Sequence, residues 1–524
     1  MFVVHGMPTR LLMGAFATAL IVATSISFPT APAAEGIDEI ITASVKPVPV
    51  PMPAEPVAMP APLGSDAFAA ALNLVSTGKY TDAYDAARAL PSDIERRVVQ
   101  WAAIYYGNGA IPYDSVVRFE KDAPDFVTAS VFRTRIEQAL TKSNASGDTL
   151  ISVLGGSMPK TLDAQIGLAQ AYVAAGKTDR AAAIARSIWV NDYLDAKTEQ
   201  KVLDSLGRLL TAKDHWARAE HLMMNDRASA VERLFPYMTP AQKSLAVARN
   251  AVSRNDKNAK ALLDKVDPAM KSSPIYNFSR AQRARQFQLW DDAIAYLDKG
   301  KANDPDPENW WYERRTLIRQ LLSAGDAKRA YRAAADYTSG PEGRLVEARF
   351  HAGWIALSFL REPKAAIRHF EAEAKLSTLP DSVTQANYWL GRARAADGDS
   401  KGARAAYQVA ADYGTIYYGL LARAELGMKP VELRAMPSTK DAEAAFGSRD
   451  LVQAINLLVA DKQNDMAGAL LRKLAQDDLK DGGEFVLAAR LAQKIDAHHL
   501  AIAIADIADK RGMPLDLFSF PKDG

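Results

Sequence analysis

YWLGRARAADGDSKGARAAYQVAADYGTIYYGLLARAELG, from Tyr388 to Gly427, sets apolar and small residues at helical spacing on either side of a short break, ADGD at 396–399. Similar breaks stand at STGK (76–79), AAGK (174–177) and SAGD (323–326). Glycine in such a break supplies the left-handed residue that ends one helix before the next begins. Each of the four glycines is followed five residues later by alanine: Ala83 after Gly78, Ala181 after Gly176, Ala330 after Gly325 and Ala403 after Gly398. Nine residues after each glycine come Ala87, Ala185, Ala334 and Tyr407, one turn further along the same helical face. A small residue there lets the second helix approach the first closely. Leu390, Gly391, Gly398, Ala403, Tyr407 and Ala410 fit the 34-residue tetratricopeptide pattern.

Outward from this stretch, apolar residues recur at three- and four-residue spacing from Asp66 onward, with no long alternating strand pattern. The expected class is all-α: an irregular α-superhelix of tetratricopeptide-like hairpins, U- or ring-shaped, with a concave surface suited to a partner. The four glycines lie 98, 149 and 73 residues apart, which predicts an irregular superhelix instead of a clean array.

The N-terminus reads differently. Arg10 precedes an apolar run from Leu11 to Phe28, then Ala31-Pro32-Ala33 in the small-x-small pattern of a cleaved signal peptide, assigned to 1–33. An uncleaved membrane anchor is the competing reading of that run. VKPVPVPMPAEPVAMPAP (45–62) is too rich in proline for a helix or a sheet ladder, so 34–65 is a Pro-rich linker. The signal implies export to the periplasm with no stable membrane span after cleavage.

Composition narrows the function. A 524-residue chain with 48% hydrophobic content can bury more than one core. Its 64 basic and 62 acidic side chains nearly cancel, leaving no electrostatic reason to expect nucleic acid. The absence of cysteine removes disulfides, thiolate nucleophiles and cysteine zinc sites. None of the seven histidines stands at metal-ligand spacing, and His215 and His221 are read as capping or packing residues. There is no phosphate loop; Gly107-Asn108-Gly109 lacks the third glycine of a dinucleotide site, and Gly155-Gly156-Ser157 is not a nucleophile elbow. No cofactor, metal or catalytic residue is assigned. The arginine sets Arg280, Arg283, Arg285 and Arg314, Arg315, Arg319 are expected on solvated helix faces, though they could line a groove for an anionic polymer. Trp310-Trp311 and Tyr417-Tyr418 are expected in the core, although such aromatics also stack on sugars.

DHWARAEHLM (214–223), ENWWYERRTLIRQLLSAGD (308–326), FHAGWIALSFL (350–360), HFEAEAKL (369–376), YWLGRARAADGD and YYGLLARAELG, in that order, resemble the helical N-terminal part of periplasmic soluble lytic transglycosylases, which cut peptidoglycan. The resemblance spans most of residues 66–430. It implies a U-shaped superhelical domain at 66–435 and a helical linker domain at 436–524, carried by about Asp441 to Leu517, that closes the body into a ring. In that family a lysozyme-like domain follows and cuts MurNAc-GlcNAc bonds to 1,6-anhydro products. Its glutamate stands in a Glu-Ser pair upstream of Gly-Leu-Met-Gln. Neither motif occurs here, so the expectation is that the catalytic module lies outside these residues and that this chain alone is inactive. The expected partners are peptidoglycan glycan strands or periplasmic cell-wall proteins. The alternative is a periplasmic tetratricopeptide-like interaction scaffold, or, more remotely, an enzyme using an unrecognised carboxylate.

Overall fold

The computed structural model describes residues 64–429 and 431–519. The signal peptide read at 1–33 and all but the last two residues of the linker at 34–65 lie outside the described residues. Among the described residues every regular element is a helix. Short polar residues start many of them: Ser65 Oγ accepts from Phe68 N–H, Thr211 and Asp214 form a reciprocal capping box, and Thr239 does the same with Gln242 ahead of Pro240.

The helices pair into hairpins, each a leading helix, a tight turn and a return helix. The four glycines read from sequence are left-handed, with φ of +78° at Gly78, +70° at Gly176, +77° at Gly325 and +86° at Gly398. The same turn is built without glycine at Asn144, Asp226, Asn255, Gln288, Arg361, Lys462 and Asp496, all with φ between +50° and +60°. The hydrogen bonding repeats with it. Asp399 N–H donates to Arg394 O at 2.9 Å, as Asp256 does to Ala251 O, Leu289 to Ala284 O and Gln463 to Leu458 O at 2.8–2.9 Å.

These turns correct the spacing inferred from glycine alone. From Asp226 to Asp496 the left-handed residues of these turns, Asp306 and Gly340 standing apart from them, follow one another at 29 to 37 residues, so the wide gaps between glycines contain hairpins ended by other residues. The irregularity lies in helix length: Ala228–Arg233 has 6 residues and Glu342–Ser358 has 17. The alanine five positions on persists at four of the seven new turns, as Ala293, Ala366, Ala467 and Ala501, all buried, while Thr149, Val231 and Lys260 stand there at the other three. Where the residue nine positions on is large, the leading helix yields: a methyl on Gly391 would lie 2.5 Å from the Tyr407 ring, and one on Gly353 would lie 2.6 Å from Phe370.

Buried arginines tie helix to helix. Arg218 donates to Trp189 O at 2.6 Å, Arg249 to Met223 O at 2.9 Å and Arg314 to Ala333 O at 2.9 Å. Each acceptor is a carbonyl in the last turn of another helix, one of the groups that a helix leaves unpaired at its C-terminus. Arg218 also reaches Glu199 at 2.9 Å, and Arg249 reaches Asp226 at 2.6 Å, so the buried charges are neutralised.

One long core runs from Leu140 to Ile355, and smaller ones follow around Phe370 and around Tyr407. The remaining core is shared by residues from the two ends of the described chain, Phe68 to Phe132 with Phe446 to Phe518. Arg97 on the helix Asp93–Tyr106 pairs with Asp450 at 2.9 Å at the start of Asp450–Ala460, 353 positions away. The described body therefore closes on itself.

Candidate functional site: a groove on the leading helices

A groove of about 580 Å³ opens between Ala129–Lys142, Gly147–Leu154, Leu162–Ala174 and Ala196–Leu206. Leu140, Ile166 and Ala171 form its apolar floor, all buried. Gly147 and Gly167 keep it open: a methyl at Gly147 would already touch Ala171 at 3.4 Å, and one at Gly167 would touch Leu150 at 3.5 Å. Gln170, Asn144 and Ser205 offer amide and hydroxyl groups at its wall, and Lys201 pairs with Asp163 across it. Asn144 is held in the left-handed turn between the first two helices.

The lining residues include no histidine and no cysteine, and their single carboxylate is occupied by a lysine. Amides and hydroxyls stand above an apolar floor, so the lining offers both hydrogen-bonding groups and apolar contact. A second cavity, of about 30 Å³ beside Trp310, Arg314 and Asp336, has room only for water.

Glu373 is the carboxyl most displaced from its ordinary behaviour. It is 0% exposed, neither oxygen has a hydrogen-bond partner, and burial pushes its pKa up to about 9. It lines neither cavity and stands as a neutral acid inside a helix packing layer. Burial likewise lowers the pKa of His369 to about 4, where Tyr331 Oη lies 2.9 Å from Nε2. Among the described residues no group of three or more His, Cys, Asp or Glu is placed to hold a metal ion, and no helix is long and apolar enough to cross a membrane.

The other singled-out residues fall into place individually. His215 stacks on Tyr237 with ring centroids 4.0 Å apart, and His221 Nδ1 meets Asp306 at 3.0 Å, so both serve packing. Gly109, with φ of +78°, completes a turn, and Gly155 caps a helix. Trp310 and Trp311 are core residues, edge-on to Phe278 and tilted on Tyr337. The arginine sets are not solvated faces. Arg314 is buried, Arg285 pairs with Glu313, Arg280 with Asp264 at 2.6 Å and Arg315 with Glu347 at 2.6 Å; only Arg319 of those six is exposed. Partners on neighbouring helices, invisible along one helix, draw them in. Tyr417 also departs from the core expectation, being exposed, while Tyr418 is half-buried against Tyr388.

The groove residues themselves escaped the sequence reading. Asn144 in a left-handed turn and Gly167 within an otherwise apolar helix were the available signals, but neither marks a groove without the neighbouring helices.

No protein-family model matches the chain, and no curated protein matches its sequence. Solved structures do. The 70 kDa soluble lytic transglycosylase of Escherichia coli is 14% identical, with a TM-score of 0.56 over 86% of this chain and 71% of that one. The 70 kDa soluble lytic transglycosylase in complex with bulgecin A gives 14%, 0.58, 87% and 72%. An inactive Glu-to-Gln mutant of lytic transglycosylase Slt from Pseudomonas aeruginosa gives 17%, 0.61, 88% and 73%. At these identities the likeness is one of fold: this chain shares the helical superhelix of the Slt-type lytic transglycosylases.

Proposed function

We propose that this chain is the non-catalytic superhelical portion of a periplasmic lytic transglycosylase, acting in peptidoglycan cleavage and cell-wall remodelling by holding glycan strands. The proposed division is a superhelical domain over 66–435 and a linker domain over 436–524, after a signal peptide at 1–33. The observation that carries the reading is the shared fold with Slt-type enzymes over 86–88% of the chain. A groove of amides and hydroxyls above an apolar floor, without an accessible acid/base pair, supports a holding role.

Co-sedimentation with purified peptidoglycan sacculi tests it. The chain is expected to pellet with sacculi and to release no anhydro-muropeptides, and Gly167→Phe, which fills the groove, is expected to reduce the pelleted fraction severalfold. Failure of the chain to pellet, or release of anhydro products, would overturn the proposal. The alternative, a protein-interaction scaffold, is favoured by one observation, the uncovered helix Tyr417–Glu425.

A further inference from the structure

Tyr417–Glu425 ends in the turn that ends the leading helices. Gly427 has φ of +67°, and Met428 N–H donates to Arg423 O at 2.9 Å. At Asn255, Gln288, Gly325, Arg361 and Gly398 the chain passes from this turn directly into a return helix. After Met428 it does not, and the next helix starts at Glu443. Tyr417–Glu425 is a leading helix without a return helix.

The faces that a return helix should cover are bare. Seven residues before the left-handed residue stand Ala219, Ala248, Ala281, Ile318 and Gly391 in other hairpins, all buried. The counterpart here, Leu420, is 46% exposed. One turn earlier Tyr417 is 63% exposed, whereas its counterpart Tyr388 is buried. A polar contact is made differently. Arg394, four residues before Gly398, donates to Gly402 O of its own return helix at 3.3 Å. Arg423, four residues before Gly427, donates to Lys429 O at 3.0 Å in the segment after its turn, and its Nε is buried without an acceptor among the described residues. Exposed Val409 and Tyr413 from the preceding hairpin extend the apolar stripe, and Gly419 seats the helix against the Tyr413 and Ala410 carbonyls.

The stripe therefore continues the interface by which the hairpins close, with its second half absent. We propose that a helix of another protein docks on Leu420 and Tyr417 and completes this hairpin in trans. The hairpins of this chain define the occupant's chemistry. It is an amphipathic helix with alanine at the crossing point, as at Ala293, Ala330 and Ala403, and an apolar residue one turn further on. This inference does not rest on the glycan reading.

The test uses the full chain and a labelled synthetic peptide of residues 399–412, the return helix that Arg394 and Gly391 receive. Fluorescence anisotropy is expected to show saturable binding, weakened about tenfold or more by Leu420→Asp in the protein and by Ala403→Trp in the peptide. Circular dichroism melts check that Leu420→Asp still folds; should it not, Tyr417→Asp at the more exposed position replaces it. Absence of saturable binding, or equal binding after these substitutions, would overturn the proposal. So would a Leu420-dependent dimer of the chain alone in sedimentation, which would make a second copy the occupant.

Discussion

Arg97 reaches Asp450 at 2.9 Å across 353 positions of sequence, and around that pair the first and last helices share one core. Both side chains are partly exposed, so the ion pair itself is worth little, and Arg97→Ala should cost under about 1 kcal/mol. Trp101, one turn along the same helix, is buried in the core that the two ends share. Trp101→Ala should cost about 3–5 kcal/mol. Chemical denaturation checks both values, and small-angle scattering should show a larger radius for Trp101→Ala alone.

The left-handed turns make a second expectation. Arg361 and Lys462 hold φ of +59° and +60° with exposed side chains, a conformation that costs a residue with a Cβ about 1 kcal/mol. Arg361→Gly and Lys462→Gly should each raise stability by about 0.5–1 kcal/mol. Gly398→Ala should lower it by about 1 kcal/mol through the backbone alone, because the added methyl meets nothing within 4 Å. Thermal melts of the three variants give the signs.

Gly391→Ala acts by a different route. Its methyl would press on the Tyr407 ring at 2.5 Å, so about 1–3 kcal/mol should be lost. A double-mutant cycle with Tyr407→Ala isolates the clash: the alanine at 391 should cost far less once the ring is gone.

Glu373 ties stability to pH. Its folded pKa of about 9 lies above the ordinary carboxyl value, so the folded state holds a proton that the unfolded state releases. Its contribution is fully favourable below the unfolded pKa and is lost as pH rises toward 9. Glu373→Gln should therefore change little near pH 4.5 and stabilise by on the order of a few kcal/mol at pH 8. Denaturant midpoints across that range would refute the assignment if the two proteins kept a constant difference.

The class of fold was legible because its rule is local: a glycine that reverses the helix, then alanine where two helices cross. The count of repeats was not, because Asn144, Asp226, Asn255 and even Arg361 adopt the glycine conformation under the pull of the packed hairpin. The arginines misled for a related reason. Arg314 looks like surface on its own helix, and its acceptors, Ala333 O and Asp298, come from two other helices. The groove was illegible throughout, since it is bounded by four helices whose juxtaposition no single-helix pattern encodes.

Joining the first helices to the last also changes how the protein can come apart. An open stack of hairpins frays from its termini, where each end repeat has a neighbour on one side only. Here Asp93–Tyr106 and Asp450–Ala460, near the two ends of the described chain, pack on each other, so opening of the body must also rupture this junction between helices distant in sequence.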